Sequence, residues 1–391
     1  MDINAAKQVL LRTHTASIRH GERANGVHLE SGPGIGKSDG VAQYAEDLAK
    51  ETGRPVGLVT FMLATIASVD VRGFMMPVKL PGGTLDTVFS TPPWFPTHAN
   101  TAVVEPNGAW HTAGSWPREQ AVPEVGVLFL DEFSQAEDEV KKPAAELVYK
   151  GTVGTTALPK GWRVVAAGNR LSDRSGVMRE LMFIVNRRCK LSIDASLPAW
   201  LNWASAQAPG KRPHYLAMSF AQKNPDIVFK DSVPEGSDPF CTPRTLCLMD
   251  RDLMALRSDE DERKDRFPTD ALAREVMAGW IGGASAAQLM THIKYADELP
   301  DMADIIKDPN KAKLPPNRDA QMVAGYMLAH NVDEKTAGPV IKYIKRLQIE
   351  MQVLAMRSIG AQQDRARTIV SQPEYIQWLM QNKDLIVASR Q

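Results

Sequence analysis

The stretch Val27-His28-Leu29-Glu30-Ser31-Gly32-Pro33-Gly34-Ile35-Gly36-Lys37-Ser38 decides the fold. Its opening Val27-His28-Leu29 is a short apolar run that reads as a strand, and a helical pattern follows from about Gly40 to Glu51. The glycine-rich turn between them has the context a phosphate-binding loop needs, because backbone N–H groups curl round the phosphates and the helix N-terminus adds partial positive charge. Gly32, Pro33, Gly34, Ile35 and Gly36 supply that loop. Lys37 is placed to reach the β- and γ-phosphates of ATP, and Ser38 to hold Mg²⁺. In the pattern G-x-x-x-x-G-K-[ST] the first glycine is Ser31 here, and Gly32 is expected to supply the tight turn instead. The competing reading, a chance glycine-rich turn, does not explain the strand before and the helix after.

A second run points to the same chemistry. Val125-Gly126-Val127-Leu128-Phe129-Leu130 suits a buried parallel strand and ends in Asp131-Glu132. Carboxylates at the C-terminal end of a central strand lie where open α/β sheets bind ligands. Asp131 is expected to hold the Mg²⁺, directly or through water, and Glu132 to polarise the attacking water as general base. An Asp-Glu pair alone is a weak signal; combined with the loop at Lys37 it implies an ATPase core.

Strands and helices alternate from the loop onward. Pro55–Met62, Trp162–Ala167 and Cys189–Ile193 read as strands and Asp138–Lys150 as a helix with Gly151 just beyond it. This alternation implies a parallel sheet between layers of helices. After about Pro198 the strand signal fades and helices dominate. The expected organisation is an α/β nucleotide-binding domain over 1–197, a helical lid over 198–300 and a helical extension over 301–391.

Composition limits the function classes. Lys plus Arg and Asp plus Glu are 46 each, so no global field draws the chain to nucleic acid or an anionic membrane. Three scattered cysteines provide neither a disulfide framework nor a zinc site, and the eight histidines show no metal-binding spacing. No signal peptide is recognisable and no apolar stretch approaches a membrane span, so a soluble cytoplasmic protein is expected.

The motifs together resemble the MoxR branch of the AAA+ ATPases over about residues 1–300. The segments are Gly32–Ser38, Val69-Asp70-Val71-Arg72-Gly73, Thr91-Pro92-Pro93-Trp94-Phe95-Pro96 and Leu128 through Ala136. They continue with Leu158-Pro159-Lys160-Gly161-Trp162, Ala167-Gly168-Asn169-Arg170, Asn186-Arg187-Arg188 and Thr242-Pro243-Arg244. The resemblance implies a P-loop α/β domain with a helical lid, working as a hexameric ring. It implies that Asn169 is the sensor that positions the lytic water, against the plainer reading of a strand-end cap. It implies that Arg187 is the arginine finger entering a neighbouring subunit's site. The family usually has an aromatic where this chain has Arg188, which leaves both arginines as candidates. Arg244 matches the lid arginine that touches ATP in cis; the bland alternative is a solvated arginine at a helix start.

Asp131 follows Lys37 by 94 positions, about twice what two helices and a strand need. The surplus is an insertion at about 67–123, rich in Pro, Gly and aromatics, with turns at Gly82-Gly83 and Asn107-Gly108. The resemblance implies that this insertion faces the pore or a partner. Its tryptophans Trp110 and Trp116 either grip a polypeptide or pack the insert onto the core. Farther on, Asp250–Asp265 is charge-dense and reads as a solvated helix or loop. Pro339 opens a helical pattern, with Val340, Ile344, Leu347, Met351 and Leu354 at 4-3-4-3 spacing, that suits a bundle helix.

Two function classes follow. In the first, hydrolysis in a ring remodels or matures a protein partner; the resemblance implies a von Willebrand factor A-domain protein, and a metal-chelatase motor subunit is a narrower version. The second is a nucleic-acid-associated motor, which the neutral charge and the lack of a basic, aromatic-interleaved stripe argue against.

Overall fold

The computed structural model describes residues 1–173, 186–230, 233–362 and 366–383. They divide into two units, one spanning Met1–Ala195 and the other Ser196–Lys230 with the described residues from Pro234 onward.

In the first unit the described strands are β1 (Val27–Ser31), β2 (Val56–Met62), β3 (Met75–Lys79), β4 (Leu85–Phe89), β5 (Ala102–Val104), β6 (Trp110–His111), β7 (Val125–Asp131), β8 (Thr152–Val153), β9 (Thr156–Ala157), β10 (Gly161–Asn169) and β11 (Cys189–Ile193). Seven of them form one sheet in the order β11-β1-β10-β7-β2-β5-β6. β11, β1, β10, β7 and β2 run parallel, and β5 and β6 continue antiparallel. Helices α1 (Ile3–His20) and α2 (Lys37–Thr52) serve one face, and α3 (Ser68–Arg72) and α4 (Asp138–Lys150) the other.

The alternation of side chains along β7 explains how one apolar run serves both faces. Val127 and Phe129 join Tyr44 and Leu48 in the core under α1 and α2. Leu128 and Leu130 join Val140, Ala144 and Leu147 under α4. One row across the sheet is set by glycine. Gly57, Gly126 and Trp162 are level on three adjacent strands, and the indole lies over both glycines. A Cβ at Gly126 would meet that ring at 2.4 Å and one at Gly57 at 2.6 Å, so neither position accepts a side chain beside Trp162. The indole N–H donates to Pro123 O at 2.9 Å.

Polar contacts also fix α1. The buried Arg163 guanidinium donates to Asn25 O, Leu10 O and Thr13 Oγ1. His14 bridges Tyr44 OH at 2.6 Å and Gly161 O at 3.0 Å.

Within the insertion, Trp94 is fully buried and its indole N–H donates to Val71 O. Of the two roles open to Trp116, gripping or packing, its burial fits packing: it is only 6% exposed. It stacks edge-on to His111 and donates to Ala121 O. Trp110 is more open but tied to Glu46 by its N–H. The exposed apolar side chains lie instead on the β3–β4 ribbon, where every residue of both strands is exposed. Gly73 and Ser90 close its base: a Cβ on Gly73 would meet Ser90 O at 2.3 Å, and Phe74 and Ser90 exchange hydrogen bonds.

The second unit is helical among its described residues, with one core running from Ala204 to Trp378. Helices from both sides of residue 300 share it; Arg318–Asn331 and Tyr215–Lys223 bury Tyr326 and Phe220 in the same cluster. The final stretch of the expected extension, beyond residue 383, lies outside the described residues. The apolar spacing from Val340 to Leu354 does not continue as one helix. Ala337–Ile344 and Ile349–Gly360 are separate, and between them Arg346 donates to Pro309 O and Ala312 O. The charge-dense Asp250–Asp265 is not simply solvated either. Asp250 is buried, its carboxyl pushed up to about 6 by desolvation, while it accepts His214 N–H. Asp265 gathers Arg257, His214 and Asn331 on its carboxylate, which stays ionised well below the usual range despite partial burial. Its φ of 44° is unusual for a residue with a side chain. No described helix is long and apolar enough to cross a membrane.

Candidate nucleotide site

β1 and β10 end level with each other, Ser31 beside Asn169, and β7 ends two strands away at Asp131. Three strand ends therefore open onto one place at the carboxyl edge of the parallel sheet. The loop leaves β1 there and enters α2 at Lys37. The left-handed positions that only glycine adopts freely are Gly34 (φ 73°) and Gly36 (φ 85°), and not Gly32, the residue expected to make the tight turn. Gly36 caps α2 without a side-chain hydrogen bond, so the first-turn N–H groups keep their donors directed out of the helix.

Two hydrogen-bonded clusters assemble the expected residues. The Lys37 ammonium donates to Ser31 Oγ at 2.9 Å, Gly32 O at 3.1 Å and Asn169 Oδ1 at 2.9 Å. Ser38 Oγ donates to Asp131 Oδ2 at 2.8 Å. A hydroxyl and a carboxylate thus converge on one point, two oxygen donors of the kind a Mg²⁺ ion would take. Among the described residues no group of three or more His, Cys, Asp or Glu gathers as a metal cage. The remaining ligands would be phosphate oxygens and water, the arrangement Mg²⁺ favours. Pro33 and Ile35 are partly exposed on the loop.

Glu132 follows directly. Its backbone N–H donates to Asp131 Oδ1, and its φ of 54° places it in the left-handed region, where a non-glycine residue is strained. The short turn Phe133–Gln135 sits behind it, held by a close approach to β10: a Cβ on Gly168 would lie 1.9 Å from Ser134 Oγ. Behind that turn, Phe133 packs on buried His28. Burial first, and then the nearby Arg188, Lys190 and Lys37 charges, keep His28 neutral far below its ordinary pKa.

The two candidate arginines occupy different environments. Arg187 is exposed, its guanidinium 5.6 Å from the Tyr149 ring at the end of α4. Arg188 is half-buried over Phe133 at 5.2 Å. Both precede β11, whose Cys189 is level with Val27 and whose Ile193 is level with Ser31. Four residue steps of about 3.3 Å therefore separate the start of β11 from the level at which the loop leaves, about 13 Å. Arg244 belongs to the second unit, exposed in the first turn of helix Pro243–Ala255 behind the Thr242 cap.

Residue-type reasoning missed Ser31 and Ser134. Nothing in the spacing marks the first as a partner of Lys37 or the second as the residue that needs Gly168 bare.

No family model and no curated protein matches the chain. Among solved structures it is similar to a mutant of RuvB from Thermotoga maritima, at 14% identity and a TM-score of 0.36, over 78% of this chain and 75% of that one. It is also similar to NtrX from Brucella abortus in complex with ADP, at 13% identity and a TM-score of 0.33, over 97% of this chain and 68% of that one. What this chain displays directly is a mostly parallel sheet flanked by helices, a glycine loop running from β1 into α2, and a helical region after it: the α/β architecture of a P-loop nucleotide-binding domain.

Proposed function

We propose that the chain is an ATP-hydrolysing motor of the AAA+ type that works as a ring and uses turnover to remodel or mature a protein partner. The observation that carries the reading is the meeting of Lys37 with Asn169, and of Ser38 with Asp131, at three neighbouring strand ends. In this reading the loop N–H groups and Lys37 bind the β- and γ-phosphates, and Ser38 and Asp131 hold Mg²⁺. When bound, that ion supplies neutralising charge to the phosphates. Glu132 takes the proton of the attacking water and Asn169 orients that water. The family resemblance assigns Arg244 to the nucleotide as well.

Arg187 is the better candidate for a finger acting in trans. It is exposed, and its position before β11 is at the end of the sheet opposite its own loop. Arg188, packed on Phe133, supports the turn behind Glu132 instead. A hexameric ring and a von Willebrand factor A-domain partner remain the expectations drawn from the family resemblance. The exposed apolar β3–β4 ribbon supports contact with a protein rather than with nucleic acid.

The test compares two variants. Lys37→Ala should weaken ATP binding itself. Glu132→Gln should keep binding and nearly abolish turnover, because the amide cannot accept the water's proton. Equal loss of binding in both would overturn the assignment. Mixing Arg187→Ala protein with Lys37→Ala protein should restore part of the activity, since some mixed interfaces pair an intact loop with an intact finger. Absence of recovery in proven mixed rings would point to Arg188 or to a cis role.

A further inference from the structure

The residue that departs from the loop pattern, Ser31, sits where it can act on the loop's lysine. It is fully buried at the end of β1. Its hydroxyl donates to Gly32 O at 2.9 Å, which leaves an oxygen lone pair facing Lys37 Nζ, also at 2.9 Å. A lysine ammonium has three N–H donors. Here three protein oxygens receive them: Ser31 Oγ, Gly32 O and Asn169 Oδ1. A phosphate oxygen that takes Lys37 must therefore displace at least one of these bonds. Glycine, the residue the pattern asks for at this position, would offer no such side-chain acceptor.

We infer that Ser31 is a positioning residue that latches the Lys37 ammonium against the end of β1, so that nucleotide binds in competition with an internal hydrogen bond. The inference rests on the proposed role of Lys37 at the phosphates and adds a regulation of that site. The latch weakens affinity for every nucleotide that uses Lys37. It also ties phosphate arrival to Asn169, because the same ammonium holds the Asn169 side chain: when Lys37 turns to phosphate, Asn169 is released toward the water it orients. Charged phosphate oxygens form the stronger bonds, so the exchange runs forward on binding.

The test is titration of the full chain with a fluorescent ATP analogue and with MgADP, alongside steady-state ATPase assays. Ser31→Ala and Ser31→Gly both remove the acceptor. Each should tighten both nucleotides by about three- to tenfold, the scale of one hydrogen bond to a charged group after compensation. KM should fall in parallel while kcat changes less than about twofold, and the melting temperature of the protein should stay close to that of the parent. A purely structural role would lower the melting temperature and leave KM unchanged. Unchanged or weaker binding in both variants, with Lys37→Ala still abolishing it, would overturn the latch and leave the phosphate-loop reading standing. Wild-type binding by Lys37→Ala would instead overturn that reading.

Discussion

Gly168→Ala tests whether the turn behind Glu132 is pinned by the sheet. Gly168 lies on β10 directly before Asn169, and the added methyl would meet Ser134 Oγ at 1.9 Å, Ser134 Cβ at 2.8 Å and Ser134 N at 2.9 Å. A rotamer change moves only the first of these atoms. The other two oblige the turn Phe133–Gln135 to retreat by several tenths of an ångström or more. Overpacking of this kind costs about 1–3 kcal/mol. For a unit of this size, about 2–4 °C of melting temperature per kcal/mol gives a fall of about 2–12 °C. The functional effect should be larger. Glu132 is the residue before the displaced turn and already holds a strained φ of 54°, so a shift approaching 1 Å should cost up to about 100-fold in kcat. Nucleotide affinity should change much less, because Ser38 and Asp131 are bonded to each other and are not among the atoms the new methyl meets. Differential scanning calorimetry, ATPase kinetics and nucleotide titration read the three quantities. Adding Ser134→Gly should return part of kcat by removing two of the three clashes. A Gly168→Ala protein with an unchanged melt and kcat within twofold would show that the turn is not held by β10, and the reasoning would fail.

Acid should weaken the first unit. The His14 pKa is lowered to about 4 by burial and then by Arg163, so its contribution is present above about pH 6.5 and is lost as pH falls toward 4, to the extent of about 3 kcal/mol. Melts between pH 7.5 and 4.5 should decline with a slope that His14→Gln makes shallower; an identical slope would refute the assignment. In the second unit His292, also lowered to about 4, acts in the same direction, whereas Asp250, raised to about 6, favours the fold at low pH and loses that contribution as pH rises through 6. Its response to acid should be correspondingly flatter. On the β3–β4 ribbon, Phe74→Ser with Leu85→Ser should leave basal ATPase and the melt within about 0.5 kcal/mol of the parent and should reduce partner-stimulated ATPase. A large drop in melting temperature would mean these side chains pack. Trp116→Ala should behave oppositely and lose about 3–5 kcal/mol of stability.

What could be read from the chain alone is what depends on local chemistry. Val125–Leu130 is apolar at every position because both faces of β7 are covered, and Gly34, Gly36, Lys37 and Ser38 are types that a phosphate loop demands. The strand ends that bring Asn169 to Lys37 follow from alternating strands and helices. Features that depend on distant neighbours were not legible. Trp116 and the ribbon's Phe74 are equally apolar letters, yet one is covered by His111 and the other stands in solvent. The break after Ile344 hides inside unbroken apolar spacing, and Arg346 within it reaches carbonyls more than thirty residues back. Charge density concealed Asp250, since a buried carboxylate and a solvated one look alike until His214 is placed beside it.

The ribbon has one more consequence. Among the described residues its strands pair only with each other, Met75 with Phe89 through Lys79 with Leu85, and contribute nothing to either core of the first unit. The fold of the first unit therefore leans on the contacts of Gly73 and Ser90 at the ribbon's base and not on the side chains between them. Those letters are free to record the history of whatever the ribbon meets. In the proposed role, chains with the same ATPase core and different targets diverge here first, exchanging one recognition surface for another without retuning the core.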